Sequence, residues 1–408
     1  MEKKRDIKHI IKDRREKINQ GIVPEGYKKT RVGIIPEDWE VKKLGEISNV
    51  ISGGTPKTKV GEYWNGDIMW ATPTDITNSE KIIFKTERTI TEKGLKKSSA
   101  QLLPVNSILM TSRATIGERA INKEPMATNQ GFKSLVPNEK SHYEFLYYLI
   151  DILKSRLIRL ANGSTFLEVS TKDVYNLQTA IPNISEQQKI ADVLSTWDRA
   201  IELKESFIQE KEEQKRGLRQ RLMGTVPKDS DQVVRLGDIL DYEQPGKYIT
   251  NDISEEGKTP ILTANKAFLL GYTNEGKGIY NDYPSIIFDD FTTDIKYVDF
   301  PFKVRSSAIK ILKLKDTAKA NLKYLYEKMA LIKYPRGGHK RYYISEYQFI
   351  KVNLPPLPEQ QRIAKILSTA DREIELLKQE VEQLKEQKKG LMQLLLTGIV
   401  RVKEVEHE

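Results

Sequence analysis

The apolar positions of this chain keep two different periods. Over two long stretches they recur every three to four residues; elsewhere they alternate or cluster in short runs broken by Gly, Pro and Asn. In the later stretch Ile363, Leu367, Ala370, Ile374, Leu377, Val381, Leu384, Leu391 and Leu395 step by four and three, with only Lys388 interrupting the stripe. That is a coiled-coil seam, and it predicts one long helix. The earlier stretch keeps Ile190, Leu194, Trp197, Ile201, Ile208, Leu218 and Leu222 but puts Lys204, Lys211 and Lys215 in the same register. A stripe so interrupted makes a poor self-associating zipper, so the two helices are expected to pack on each other within one chain, with Phe207 helping to fill the gap. The alternative is two unrelated surface helices.

The two stretches are copies. The run from Glu186 to Val226 aligns without a gap on the run from Glu359 to Ile399, so that Glu186-Gln187-Gln188 returns as Glu359-Gln360-Gln361 and Gln214-Lys215-Arg216-Gly217-Leu218 as Gln387-Lys388-Lys389-Gly390-Leu391. Pro182 and Ser185 precede the first copy and Pro355, Pro356 and Pro358 the second, where proline is tolerated in a first turn; Gly224 and Gly398 mark the ends. A period of roughly 170 residues is too long for a solenoid and points to duplicated modules, each a globular part followed by a long helix.

The globular parts read as irregular β structure with added helices. Runs such as Asp67-Ile68-Met69-Trp70, Ser285-Ile286-Ile287-Phe288 and Ala308 to Leu312 suggest strands, and Phe145, Leu146, Leu149, Ile152, Leu153 and Leu157 predict a helix from Tyr143 to Leu160. Val233-Val234-Arg235-Leu236-Gly237-Asp238-Ile239 echoes Val41-Lys42-Lys43-Leu44-Gly45-Glu46-Ile47, so the second module opens as the first does. The expected class is α/β (α+β), laid out as a basic helical lead-in (1–30), a first globular domain (31–184), a first long helix (185–226), a second domain (227–357), a second long helix (358–400) and a tail (401–408). The lead-in is expected to be a helix to Ile18, then a flexible stretch closed by Gly21 and Pro24.

A formal charge of +10 favours a polyanionic partner. The absence of cysteine excludes disulfides, thiolate zinc sites and a cysteine nucleophile, and the four histidines, His9, His142, His339 and His407, show no metal-ligand spacing. No apolar run approaches the ~20 residues of a membrane span and the start lacks a signal-peptide core, so a soluble, cytoplasmic protein is expected.

Two dissimilar modules, each closed by a Pro-x-x-x-Glu-Gln-Gln-x-Ile-Ala helix that ends in a Gly-Leu-x-x-x-Leu block, resemble the specificity subunit of type I restriction-modification enzymes. The turn Gly53 to Pro56, the run Thr111 to Gly117, Asn129-Gln130-Gly131 and Gly163-Ser164-Thr165 are similar to first-module features of that family. The resemblance covers nearly the whole chain from Val32. It implies a noncatalytic subunit whose two target-recognition domains each read half of a bipartite double-stranded DNA site, held on two helices paired as an antiparallel coiled coil. It also implies that methylation subunits, two of them, dock on the helices through Glu186, Gln187, Gln188, Glu359, Gln360 and Gln361. Restriction subunits would join through the complex, and S-adenosylmethionine, ATP and magnesium would sit on those partners. A helix of about 37 residues is roughly 55 Å long, enough to set two readers somewhat more than one DNA turn of ~34 Å apart.

Base reading needs Arg or Lys for guanine and Asn or Gln for adenine. Candidate DNA contacts in the first module are Thr55, Lys57, Tyr63, Trp64, Thr72, Thr74, Asp75, Ser112, Arg113, Asn129, Gln130, Lys133, Ser164 and Thr165; neighbouring glycines would let the backbone approach DNA closely. Those in the second are Asp290, Thr292, Lys296, Arg305, Ser306, Arg336, His339, Lys340 and Arg341. Each could instead be a turn former or a solvated basic residue.

Three enzymatic readings are weaker. Gly271 to Gly278 nearly spells a phosphate-binding loop but lacks the Ser/Thr and the following helix. Asp290, Asp294 and Lys296 mimic the residue set of a metal-dependent nuclease at cramped spacing. Asn353-Leu354-Pro355-Pro356 fails as a methyltransferase motif. The competing functions are therefore a metal-dependent DNA nuclease and a coiled-coil scaffold without DNA specificity.

Overall fold

The computed structural model describes residues 2–163, 167–224, 231–263, 268–334 and 341–402, without the side chains of residues 2–8. It resolves into two units, residues 1–202 with the chain from 382 onward, and residues 203–381. Two helices of 40 residues, Ile184–Met223 and Leu357–Leu396, contribute to both units and are called the first and second rod below. At ~1.5 Å per residue each is about 60 Å long.

In the first unit a five-stranded sheet runs in the order Ser48–Ser52, Lys133–Pro137, Ile108–Met110, Arg119–Asn122, Ile82–Ile83, antiparallel except for its last, parallel pair. A three-stranded sheet centres on Trp64–Ala71 between Met126–Thr128 and Thr89–Ile90. The helix Tyr143–Leu160 forms where the spacing predicts and buries Phe145, Leu146, Leu149, Leu153 and Leu157. These join Ile108, Ile121, Ile190 and Leu194 of the first rod and Leu395 of the second in one core. Each such side chain taken from water contributes ~1.5–3 kcal/mol, so the module is welded to both rods by ordinary burial.

The second unit repeats the plan with different strands. Leu240–Glu243, Ile309–Leu314, Ser285–Asp289 and Ile295–Val298 form an antiparallel four-stranded sheet, and Leu269–Thr273, Thr259–Leu262 and Lys303–Val304 a smaller one. Its core joins Phe288, Leu312, Tyr324, Leu325 and Tyr343 to Met223 of the first rod and Ile363 and Leu367 of the second.

The echo between the module openings is structural. Glu40–Lys43 pairs antiparallel with Gln178–Ile181, and Gln232–Arg235 with Lys351–Leu354, so in each module the opening strand zips to the strand that leads into a rod. A four-residue helix follows each opening strand, and the Leu44 and Leu236 amides donate to the Leu177 and Ile350 carbonyls.

Within each unit the rods run antiparallel and side by side. In the second unit, moving up the first rod from Lys204 to Lys211 and Lys215 moves down the second from Glu380 to Glu373 and Asp371, each lysine ion-paired with the acid named. In the first unit Lys388 pairs with Asp198. The lysines that break the first stripe therefore meet acids of the other rod. Phe207 does not fill the seam as expected: it is 42% exposed, with the Lys211 ammonium 5.2 Å above its ring. Nor does the lead-in hang free. Its helix, Glu2–Asn19, places the Arg14 guanidinium on the Ile399 carbonyl at 2.7 Å, and Tyr27 donates to the Gly398 carbonyl at 2.6 Å.

Candidate nucleic-acid interface

Four segments far apart in sequence meet at one edge of the first module. The Gly54 amide donates to the Thr128 carbonyl, Ser112 to Gly131, and Val169 to the Ser112 carbonyl, while Thr55 hydrogen-bonds Gln130. The Gly53–Pro56 turn, the Ser112-Arg113 run, Asn129 to Gly131 and the segment around Glu168 thus form a single loop cluster. Arg113 reaches Glu168 at 3.0 and 2.5 Å, and Lys133 reaches it at 3.3 Å. Burial alone would raise the Glu168 carboxyl, but hydrogen bonds from both cations outweigh it and hold the group below its usual range. Two cations sharing one carboxylate leave the edge net positive, which suits an approaching phosphate.

Several sequence candidates turn out to be parts of the scaffold. Ser112 is fully buried, and Lys133 is only 7% exposed beside Glu168, so neither faces a ligand. Trp64 lies in a small core with Trp70 and Ile90. Asp75 accepts from the Thr72 amide at 2.7 Å and hydroxyl at 2.6 Å and from the Glu87 amide at 2.8 Å, closing a capping box instead of addressing DNA. Asn129 accepts from the Gly131 amide, a local turn bond. A Cβ on Gly53 or Gly54 would fall on the backbone of Asn129 or Ala100, so these glycines serve packing inside the protein, not an approach of DNA. Lys57, Thr74 and Gln130 remain exposed, and Thr55, Tyr63 and Arg113 half-buried. Ser164 and Thr165 lie outside the described residues.

Arg88 escaped the sequence reading. Its exposed guanidinium sits 3.9 Å from the Trp64 ring centroid and 5.3 Å from that of Trp70, and the two indoles meet edge to face at 5.0 Å. Trp70 in turn donates to the Gly54 carbonyl at 2.9 Å, which fixes the stack beside the loop cluster. No hydrogen bond or ion pair holds the Arg88 guanidinium among the described residues, so its N–H edge is open. The only sequence signal was an arginine downstream of two tryptophans, which no periodicity singles out.

In the second module Asp290 is the main correction. It is fully buried, pairs with the equally buried Lys310 at 3.4 Å, and accepts from the Tyr343 amide at 2.9 Å. It therefore ties the 290–294 loop to the Tyr342–Ser345 helix and is available neither to DNA nor to magnesium. Among the described residues no group of three His, Asp or Glu could hold a metal. Thr292 is half-buried on that loop and Lys296 half-buried on the strand that follows it; Ser306 is half-buried and accepts from the Ala308 amide; Arg305 is exposed and donates to the Thr250 carbonyl at 3.2 Å. Arg341 is exposed beside the same loop, whereas Arg336, His339 and Lys340 lie outside the described residues.

The repeated Glu-Gln-Gln starts work inward. Gln187 accepts from the His142 amide and donates to the Lys140 and Pro182 carbonyls; Gln360 accepts from the Asn321 amide and donates to the Lys319 and Pro355 carbonyls. Both are fully buried, as is Glu186 to within 5%, held by Arg401 at 2.7 Å and by Trp39. These three cannot meet a partner in the way expected. Gln188 and Glu359 are half-buried and Gln361 is exposed.

Asp371 carries a pH signature. Burial alone would raise its carboxyl, yet hydrogen bonds from Lys215 and Lys323 win and lower it. A lowered folded-state pKa contributes stability that is complete above the unfolded value of ~3.9 and is lost as pH falls through the folded one. The urea midpoint of the wild-type chain is expected to fall more steeply below about pH 4 than that of Asp371→Asn; parallel curves would show the pair to be solvated.

Two unlike α/β modules on paired rods, each with a net positive or arginine-bearing loop edge, define a duplicated recognition protein rather than an enzyme with one pocket. The comparisons say which. The family model described as "Type I restriction modification DNA specificity domain" matches twice, over residues 36–213 and 227–386, and the chain belongs to that family. It is 33% identical over 410 residues to the type I restriction enzyme MjaIX specificity subunit of Methanocaldococcus jannaschii, covering 90% of this chain and 94% of that one. A shorter stretch of 126 residues is 47% identical to the EcoR124I/EcoR124II specificity subunit of Escherichia coli, covering 29% and 31%. The crystal structure of the type I restriction-modification S subunit from M. genitalium shares the fold, with a TM-score of 0.54 over 88% of this chain and 96% of that one at 16% identity. The chain is a type I specificity subunit, and noncatalytic.

Proposed function

We propose that each module reads one half of a bipartite DNA site, and that the rods set the distance between the halves and dock two methylation subunits. Restriction subunits join through that complex, and S-adenosylmethionine, ATP and magnesium act on the partner subunits, in the cytoplasm. The observation that carries this reading is the duplication itself: the strand pairing that opens each module and the bonds of Gln187 and Gln360 at the rod starts repeat, while the loop edges differ. A chain that only assembled partners would have no need of two unlike edges. The nuclease alternative loses Asp290 to the buried pair with Lys310.

Selection from random duplexes by the chain with its methylation partner tests it. Two short defined blocks around an unspecified spacer are expected, and replacing residues 36–182 by the module of another family member should change one block alone. Loss of both blocks with the assembly intact would contradict the reading and favour a scaffold.

Arg88 presents a guanidinium oriented by two indoles, the arrangement suited to the O6/N7 edge of guanine. Arg88→Ala is expected to relax a single position of the first block by roughly 5- to 150-fold, the equivalent of ~1–3 kcal/mol, leaving the second block intact. Uniform weakening over all sequences would make it a phosphate contact instead.

A further inference from the structure

The rods carry, twice, the same charged pair at the place where a module meets them. Asp198 belongs to the first repeat and Asp371 is its counterpart in the second; Lys388 and Lys215 are counterparts in the Gln-Lys block. Asp198 meets Lys388, and Asp371 meets Lys215, each pair joining one rod to the other within its own unit. What reaches the pair from the module is different in each case.

In the first unit, Lys81 at the edge of the five-stranded sheet donates to the Tyr148 hydroxyl at 2.8 Å and the Ser195 hydroxyl at 2.7 Å, and lies 3.3 Å from Glu144 and 3.8 Å from Asp198. Tyr148 donates to Asp198, and Ser195 donates to Glu144 at 2.9 Å. Six side chains from the module sheet, the Tyr143–Leu160 helix and both rods close one network, with Lys81 only 11% exposed. In the second unit the Leu322–Met329 helix supplies Lys323, 2.7 Å from Asp371, and the fully buried Glu327, 3.3 Å from Lys215 and 2.6 Å from Arg219. Ser368, the counterpart of Ser195, is exposed, and the counterpart of Arg219 is Met392.

We infer that the repeated Asp–Lys pair is a common socket on the rods, and that Lys81, Glu144 and Tyr148 in one module and Lys323 and Glu327 in the other are the matching plugs that fix each module's angle. The physical reason is directionality. Apolar burial holds a module to the rods but tolerates rocking, whereas a largely buried network of charge-assisted hydrogen bonds is satisfied in few geometries. If the modules read two half-sites, as proposed above, their angle on the rods governs which half-site separations are accepted. These residues position the readers and touch no base.

The test uses the full chain with its methylation partner and duplexes carrying both blocks at successive spacer lengths, with hydrogen exchange on the same samples. Tyr148→Phe, which removes one hydroxyl, and Lys388→Met are expected to leave the preferred bases unchanged. Both should lower discrimination between adjacent spacers about tenfold and speed amide exchange around Lys81 and at the start of the Tyr143–Leu160 helix. Lys388→Arg should restore discrimination. Unchanged spacer choice together with unchanged exchange in either variant overturns the inference, as does a shift in the bases read. Should the wild-type chain show no bipartite site while exchange still responds, the socket stands as an anchoring device and the reading of the rods as a spacer fails. Tyr148→Phe keeps the side-chain volume, so a failure of Lys388→Met to fold leaves the outcome decidable.

Discussion

Glu327→Ala is expected to destabilise the second unit by about 3–5 kcal/mol, the cost of breaking a buried ion network by removing one partner. The Glu327 side chain is fully enclosed, with Lys323 at 3.1 Å, Lys215 at 3.3 Å and Arg219 at 2.6 Å. Those cations are themselves between 11% and 17% exposed, so water takes over the missing charge only in part. Without Glu327 only Asp371 remains to balance three positive groups. Burial alone would lower the Lys323 pKa, but the hydrogen bond to Asp371 and the two acidic charges raise it, so Lys323 keeps its charge at neutral pH. Urea denaturation followed by a probe in residues 203–381 reads the effect. A loss below about 1 kcal/mol would mean that the network behaves as a solvated surface cluster.

Lengthening both rods together is expected to change the accepted spacer and nothing else. Because Lys204 faces Glu380 and Lys211 faces Glu373, a turn inserted after Gln209 alone would slide these pairs past each other. A matching turn after Leu376 restores the register on the opposite rod. Four residues in each add about 6 Å, close to two base pairs at 3.4 Å each. The doubly lengthened chain should prefer a spacer longer by one to two base pairs, with both blocks unaltered. The single insertion should lose affinity for every spacer. Altered bases in the lengthened chain would show that the rods shape the reading loops instead of separating them.

The rods were legible because their information is local and periodic: a heptad stripe, proline-bounded starts and a repeat. Even the three lysines on the first stripe had their explanation in the sequence, in Glu380, Glu373 and Asp371, but matching them required the antiparallel register. The loop edges were far less legible. Ser112, Lys133, Asp290 and Trp64 look like surface chemistry in sequence, and all four are buried by strands distant in the chain. Asp290 and Lys310 meet only because Ser285–Asp289 lies beside Ile309–Leu314 in the sheet. The Glu-Gln-Gln repeat carried a similar trap. Gln187 and Gln360 recur because each must bind the residue that starts an earlier helix of its module, His142 or Asn321, and the strand end before its rod, a demand of folding that a motif alone cannot separate from a demand of docking.

Mapping modified bases across the genome of a cell that carries this chain with its methylation partner, against one that lacks the chain, bears most directly on two readers held by paired rods. The expected map is one motif of two short defined blocks with a fixed unspecified gap, lost entirely without the chain. A single uninterrupted motif, or blocks joined by a freely varying gap, would contradict it.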